Sequence, residues 1–193
     1  MGRPELFHCA DWGTEISDVE DSQGHPIFKK VTITWSRPRT WKHDEPAPIE
    51  TEDKSSCLYC LLRDHKRQKA KDKIVYIGLT KNIHGRFYNH PKAEKIRNKR
   101  GSTLLTVGSV NFGRYWRSVA NTGPALEQLE HLLIWSIFPK FNDRKMGQLP
   151  GMGKHKTKPW WIVRKGFTFH GTMPREIVYP WMLVKLGRDR STR

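Results

Sequence analysis

Cysteine is scarce in this chain. There are three in 193 residues, an odd number that a disulfide framework could not use up, which points to a reducing compartment. Long apolar runs are missing as well: nothing approaches the roughly eighteen consecutive apolar residues of a membrane span. The first residues show neither the basic n-region nor the apolar h-region of a secretory signal, so a cytoplasmic protein is the expectation. Hydrophobic residues make up 36% of the chain and the mean hydropathy is −0.71, which implies a modest core under a very polar surface in one domain of ordinary size. Internal repeats are absent. Acidic side chains are few after residue 53: residues 54–193 carry a balance of +21 and residues 1–53 carry −5, within a net charge of +16. A body this basic fits a polyanion. Acidic membrane surfaces and ribosomal-type packing also attract such a body, but tryptophans lying among the C-terminal basic residues favour nucleic acid.

The pattern along the chain predicts an α/β (α+β) fold in three stretches. Residues 1–54 form an N-terminal extension with one alternating strand, Phe28 to Trp35, followed by a loop marked by Pro38, Pro46 and Pro48. Residues 55–143 form the core. In it, 56–62 and 73–79 read as buried strands joined by a charged loop from Arg63 to Asp72. Thr80 is expected to cap a helix running to about His90, with Pro91 ending it. A further helical turn is expected at 93–99, a β-branched strand from Thr103 to Val110, and a helix from Pro124 to Ile137 that Pro139 stops. Residues 144–193 read as a Gly/Lys loop and two aromatic-rich strands, near Trp160–Phe169 and Ile177–Val184.

A few residues stand out against this background. Tyr59 and Tyr76 lie mid-strand in neighbouring apolar runs, where a tyrosine serves packing or turns a hydroxyl towards a cleft. Arg86 and His90 are four residues apart, which places them on one face of the expected helix. Glu130 falls inside the apolar stripe of Leu126, Leu133 and Ile137. A carboxylate in that position needs a cationic partner, or holds a metal. Cys57-x-x-Cys60 has the spacing of half a zinc site, but no second pair accompanies it, and its place in a strand reads as core. The basic run Lys66, Arg67, Lys69 fits DNA backbone contact or a solvated loop. Lys154, Lys156 and Lys158, beside Trp160 and Trp161, fit nucleic-acid contact or a surface strand that gives its tryptophans to the core.

Together these residues resemble the GIY-YIG nuclease superfamily. Its first triplet survives here only as the tyrosine of Cys57-Leu58-Tyr59, and its second is intact as Tyr76-Ile77-Gly78. Arg86 and His90 match the arginine and histidine that follow. Glu130, an apolar helix, Pro139 and Asn142, twelve residues after Glu130, match the closing pattern. The likeness spans roughly residues 55–143, and the long gap between the tyrosines is similar to the type II restriction endonuclease branch.

The resemblance implies a small antiparallel three-stranded central sheet flanked by helices, with β-rich N- and C-terminal elaborations. It implies a DNA endonuclease that cuts double-stranded DNA, as a homodimer if the target is a palindrome, of prokaryotic or phage origin. Tyr59, Tyr76, Arg86, His90, Glu130 and Asn142 would be catalytic, with Mg²⁺ (or Mn²⁺ in its place) on Glu130 and no organic cofactor. Lys81, Arg97, Lys99 and Arg100 join Lys66, Arg67, Lys69, Lys154, Lys156 and Lys158 as expected DNA contacts. A repair or defence nuclease acting on single-stranded or branched DNA, and an inactive nucleic-acid-binding module, are the competing readings.

Overall fold

The computed structural model describes residues 16, 19–49, 56–65, 72–113, 122–148, 150 and 159–179. The elements are β1 (Lys29–Trp35), β2 (Arg39–Thr40), β3 (Cys57–Asp64), β4 (Lys73–Thr80), α1 (Ile83–Tyr88), α2 (Pro91–Arg97), β5 (Ser102–Asn111), α3 (Thr122–Ile137), β6 (Trp160–Gly166) and β7 (Glu176–Tyr179). The fold is α+β, and its sheet is larger than the expected three-stranded antiparallel one. All seven strands join one mixed sheet in the order β4-β3-β5-β1-β6-β7, with β2 paired to β5. β1 runs parallel to β6 and antiparallel to β5, so the N- and C-terminal strands extend the core sheet. No helix among the described residues is long and apolar enough to cross a membrane.

β3 is buried along nearly its whole length because both of its faces are covered, which is why its sequence reads as an unbroken apolar run. Leu58, Cys60 and Leu62 face α3, where they meet Leu126, Leu129 and Leu133. The alternate residues Cys57, Tyr59 and Leu61 face the other way, onto Ile83, Phe87, Ala93 and Ile96 of α1 and α2. The two cysteines therefore lie on opposite faces, both buried. β3 also runs two residues further than expected. Arg63 is buried in it and donates to Thr103 Oγ1 (2.5 Å) and to the carbonyls of Lys99 (2.6 Å) and Arg100 (2.5 Å). These bonds satisfy a charge that would be costly left bare.

The expected single helix from Thr80 to His90 is two short ones. Thr80 ends β4, and Asn82 caps α1 by accepting from the Gly85 amide. Proline disfavours the helical region for the residue before it, and His90 is accordingly extended, at φ −123° and ψ 87°. Pro91 therefore opens α2 at a position where its missing N–H costs nothing. Beyond Trp160–Gly166, the last strand is seen as Glu176–Tyr179, and the remainder of the expected 177–184 strand lies outside the described residues.

β4 is an edge strand, a place where unpaired backbone groups need cover. The turn after α3 provides it. Phe141 donates its amide to the Val75 carbonyl (2.9 Å). Asn142 accepts from the Ile77 amide (2.9 Å) and donates to the Ile77 carbonyl (2.8 Å). Two hydrogen bonds of ordinary strength make Asn142→Ala a loss of about 2 kcal/mol in urea unfolding. A loss under about 0.5 kcal/mol would mean that the Phe141 contact alone holds the turn.

Candidate active site

Four of the expected site residues meet on the α1/α2 face of the sheet. Tyr59, buried in β3, lies across Gly78 of β4, its partner in the strand register. A Cβ at Gly78 would stand 2.4 Å from the phenol ring and its oxygen, so only glycine leaves room for the tyrosine. A bulge in β4 leaves Val75 unpaired between Ile74 and Tyr76. Tyr76, paired with Leu61 and in phase with Gly78, faces the same side, with its ring 6.0 Å from that of Tyr59. The residue that the bulge re-aims is Ile74, which pairs with Leu62 and joins the α3 side.

The Tyr59 hydroxyl is held from two elements. Arg86 Nε, from α1, donates to it at 3.3 Å. His90 Nε2, from the α1–α2 junction, lies 2.8 Å away. Arg86 and His90 thus do not share a helix face; the chain break at Pro91 brings both onto one oxygen. Phe87 lies stacked on the His90 imidazole (5.9 Å, 16°) and meets Tyr59 edge-on (4.9 Å). On the other side of His90, the Ala93 amide donates to Nδ1 (3.2 Å).

Electrostatics follow from this packing. Burial pushes the Tyr59 phenol well above its ordinary range, Tyr76 adds to the rise, and Arg86 opposes it. Burial and then the Arg86 guanidinium hold the His90 imidazole down to about 4. Lys92 stands 5.9 Å from the centre of the Tyr76 ring and bridges to the β4-edge turn through Asp143 Oδ2 (2.6 Å) and the Phe141 carbonyl (3.3 Å).

Glu130 and Asn142 sit elsewhere. Glu130 belongs to α3, which covers the opposite face of the sheet. On that helix Gln128 reaches Trp160 of β6, so Glu130, two residues on and about 200° around the wheel, lies on the flank towards β4. Its partner is Lys145, whose ammonium donates to Oε2 at 2.5 Å. Lys145 has a backbone φ of 67°, a conformation uncommon outside glycine and asparagine. Mg²⁺ takes one or two carboxylates together with water and substrate phosphates, so the Glu130 carboxylate suits that ion in kind. No group of three His, Cys, Asp or Glu side chains able to hold a metal lies among the described residues. Asn142 is committed to the Ile77 backbone and braces the edge strand.

Among the expected DNA contacts, Lys81 and Arg100 are exposed. Lys99 places its ammonium 5.4 Å from the centre of the Phe141 ring. Arg97 is engaged within the fold: it lies over Trp41 (4.3 Å) and donates to the carbonyls of Lys42 (3.0 Å) and His43 (2.7 Å). Lys66, Arg67, Lys69, Lys154, Lys156 and Lys158 lie outside the described residues. Trp160 is core, whereas Trp161 carries the Lys30 ammonium over its ring at 4.0 Å. Sequence reasoning missed Phe87, Lys92 and Lys145. Phe87 had a signal, an aromatic beside Arg86 on a short helix. The two lysines had none, since their partners lie on other elements. No family model, curated protein or solved structure matches the chain.

Two outcomes follow from this packing. Gly78→Ala forces Tyr59 out of place, at about 1–3 kcal/mol of stability read by denaturation. A neutral change would mean that the phenol does not lie across residue 78. His90 is held below its ordinary value of 6.5, so the folded state favours the neutral ring and protonation favours unfolding. The melting temperature should therefore fall as pH drops from 6.5 towards about 4, and fall less in His90→Gln. Equal slopes in the two proteins would contradict a depressed histidine.

Proposed function

We propose that this chain is a metal-dependent DNA endonuclease of the GIY-YIG type, hydrolysing phosphodiester bonds at the Tyr59–Tyr76–Arg86–His90 cluster. The observation that carries the reading is Arg86. Among the described residues, its guanidinium is hydrogen-bonded to a phenol and pairs with no carboxylate, beside a second cation, Lys92, in a body carrying +21. A cation left without a carboxylate beside a reactive oxygen suits an arriving phosphate.

The chemistry assigned to these residues balances simply. The Tyr59 phenol first loses its proton to solvent. Its phenolate then takes a proton from a water molecule as that water's oxygen bonds to phosphorus, and the ester oxygen departs with the P–O bonding pair and takes a proton from solvent. Arg86 offsets the negative charge that builds on the phosphoryl oxygens. A divalent ion bound through Glu130 would add charge neutralisation at the phosphate and the leaving oxygen. Tyr76 packs beside Tyr59, and Asn142 fixes the strand that carries Tyr76. A site-specific type II restriction enzyme acting on double-stranded DNA as a homodimer is the specific form of the proposal. The Lys145–Glu130 ion pair favours a second reading, a basic nucleic-acid-binding module without turnover, because the carboxylate already has its cation.

Incubation with supercoiled plasmid separates the two readings. Cleavage into discrete bands with Mg²⁺, abolished by EDTA and reduced at least about a hundredfold in Arg86→Ala and Glu130→Ala, is expected. Salt-sensitive binding with no cleavage would leave the binding module. Because burial raises the Tyr59 phenol, the cleavage rate should climb by about tenfold per pH unit from about pH 6 to about pH 8. A plateau above about pH 7 would mean that another group is the base.

A further inference from the structure

We propose that His90 is a positioning residue that holds Tyr59 by donating a hydrogen bond, with its tautomer fixed by the first turn of α2, so that Tyr59 and not His90 receives the proton of the attacking water. This rests on the reading of Tyr59 as the reacting phenol, and it makes the histidine beside it a donor and not a second base.

The Ala93 amide fixes the histidine tautomer. A backbone N–H can only donate, so the contact at 3.2 Å makes His90 Nδ1 an acceptor and leaves that nitrogen without a proton. A neutral imidazole with a bare Nδ1 carries its proton on Nε2. The Nε2–Tyr59 Oη contact of 2.8 Å is then a donation from histidine to tyrosine. Arg86 Nε, which also can only donate, takes a second acceptor position on the same oxygen at 3.3 Å. With both lone-pair directions filled by N–H donors, the phenol's own proton is directed away from both nitrogens. The same two donors are those a phenolate needs, already in place and held by packing.

The arrangement also excludes the alternative. For His90 to take a proton from Tyr59, Nε2 would have to be bare and Nδ1 protonated. That would set an N–H of the ring against the Ala93 N–H and remove the cap of α2. An imidazolium meets the same clash, in a ring 6% exposed and stacked on Phe87. Ring rotation is no escape, because the stack and the extended backbone imposed ahead of Pro91 fix the plane.

Substitution at this position separates three roles. Asparagine can reproduce the acceptor at Nδ1 but cannot reach Tyr59. Glutamine can place an N–H donor near Nε2. Neither is a base. On the proposal, His90→Gln retains plasmid cleavage within about tenfold of wild type, whereas His90→Asn and His90→Leu lose about a hundredfold. Activity in Asn with none in Gln would reduce His90 to a helix cap and overturn the proposal. Loss in both, with both proteins folded by melting temperature, would make His90 the proton acceptor and overturn it too. The wild-type protein gives a second reading that needs no activity: the long-range ¹H–¹⁵N spectrum of the His90 imidazole at pH 7. The proton on Nε2 is expected; a proton on Nδ1 or on both nitrogens would overturn the assignment even if the chain cleaves DNA. If the spectrum shows Nε2–H and no variant or wild type cleaves any DNA, the nuclease reading fails, and with it the catalytic half of this inference, while the tautomer assignment stands.

Discussion

A phenol buried inside a sheet must have its oxygen satisfied, and much of this structure is arranged around that requirement at Tyr59. The ring fits only because residue 78 has no Cβ. The oxygen is reached from one side by α1 and from the other by the residue that starts α2. Pro91 is what allows two elements to converge there. It ends the helical run early, extends His90, and restarts a helix whose Ala93 amide then anchors the imidazole. A single continuous helix would have kept Arg86 and His90 in step along one face, and they could not approach one oxygen from two sides.

The second organising feature is the edge of β4. The turn that follows α3 covers this edge with Phe141 and Asn142, is tied to α2 through Lys92 and Asp143, and returns to α3 through Lys145 and Glu130. The edge strand that carries Tyr76 and Gly78 is thus gripped from both faces of the sheet. Glu130 lies on the α3 side and the tyrosines on the other, with this turn between them. Any chemistry that used all of them would have to reach around the β4 edge.

Local features of the sequence carried far. The unbroken apolar run of 57–62 announces a strand covered on both faces, and the stripe of Leu126, Leu129 and Leu133 announces the helix that covers one of them. The order Tyr59, Tyr76, Arg86, His90 was legible because those residues lie on consecutive elements whose spacing the chain fixes. Three things were not legible, each for a reason of distance or competition. The parallel pairing of β1 with β6 joins segments about 130 residues apart, and no local pattern encodes it. Arg63 looks like the start of a charged loop until the carbonyls of Lys99 and Arg100 are seen to hold it. Lys145 is one of many lysines, and only the fold selects it as the partner of Glu130. Pro91 was read as a stop when its preference for a first helical turn was the rule that applied.

The remaining tension lies in the phenol itself. Burial raises Tyr59 and so disfavours the anion that would act as base, while two N–H donors, one of them on the Arg86 guanidinium, favour it. In the resting protein burial prevails, and the phenol keeps its proton. Among the described residues, the partners of its oxygen are Arg86 and a neutral histidine, and the acid of the edge turn, Asp143, is taken by Lys92. An anion entering such a site gains from Arg86 whether or not the phenol ionises. A cation entering with it would shift the phenol in the direction that burial opposes. The cluster therefore holds a weak acid in place, with its donors set, until charge arrives from outside. Under the proposed function, that is a reason for the histidine to remain a neutral donor: a protonated ring would supply that charge permanently.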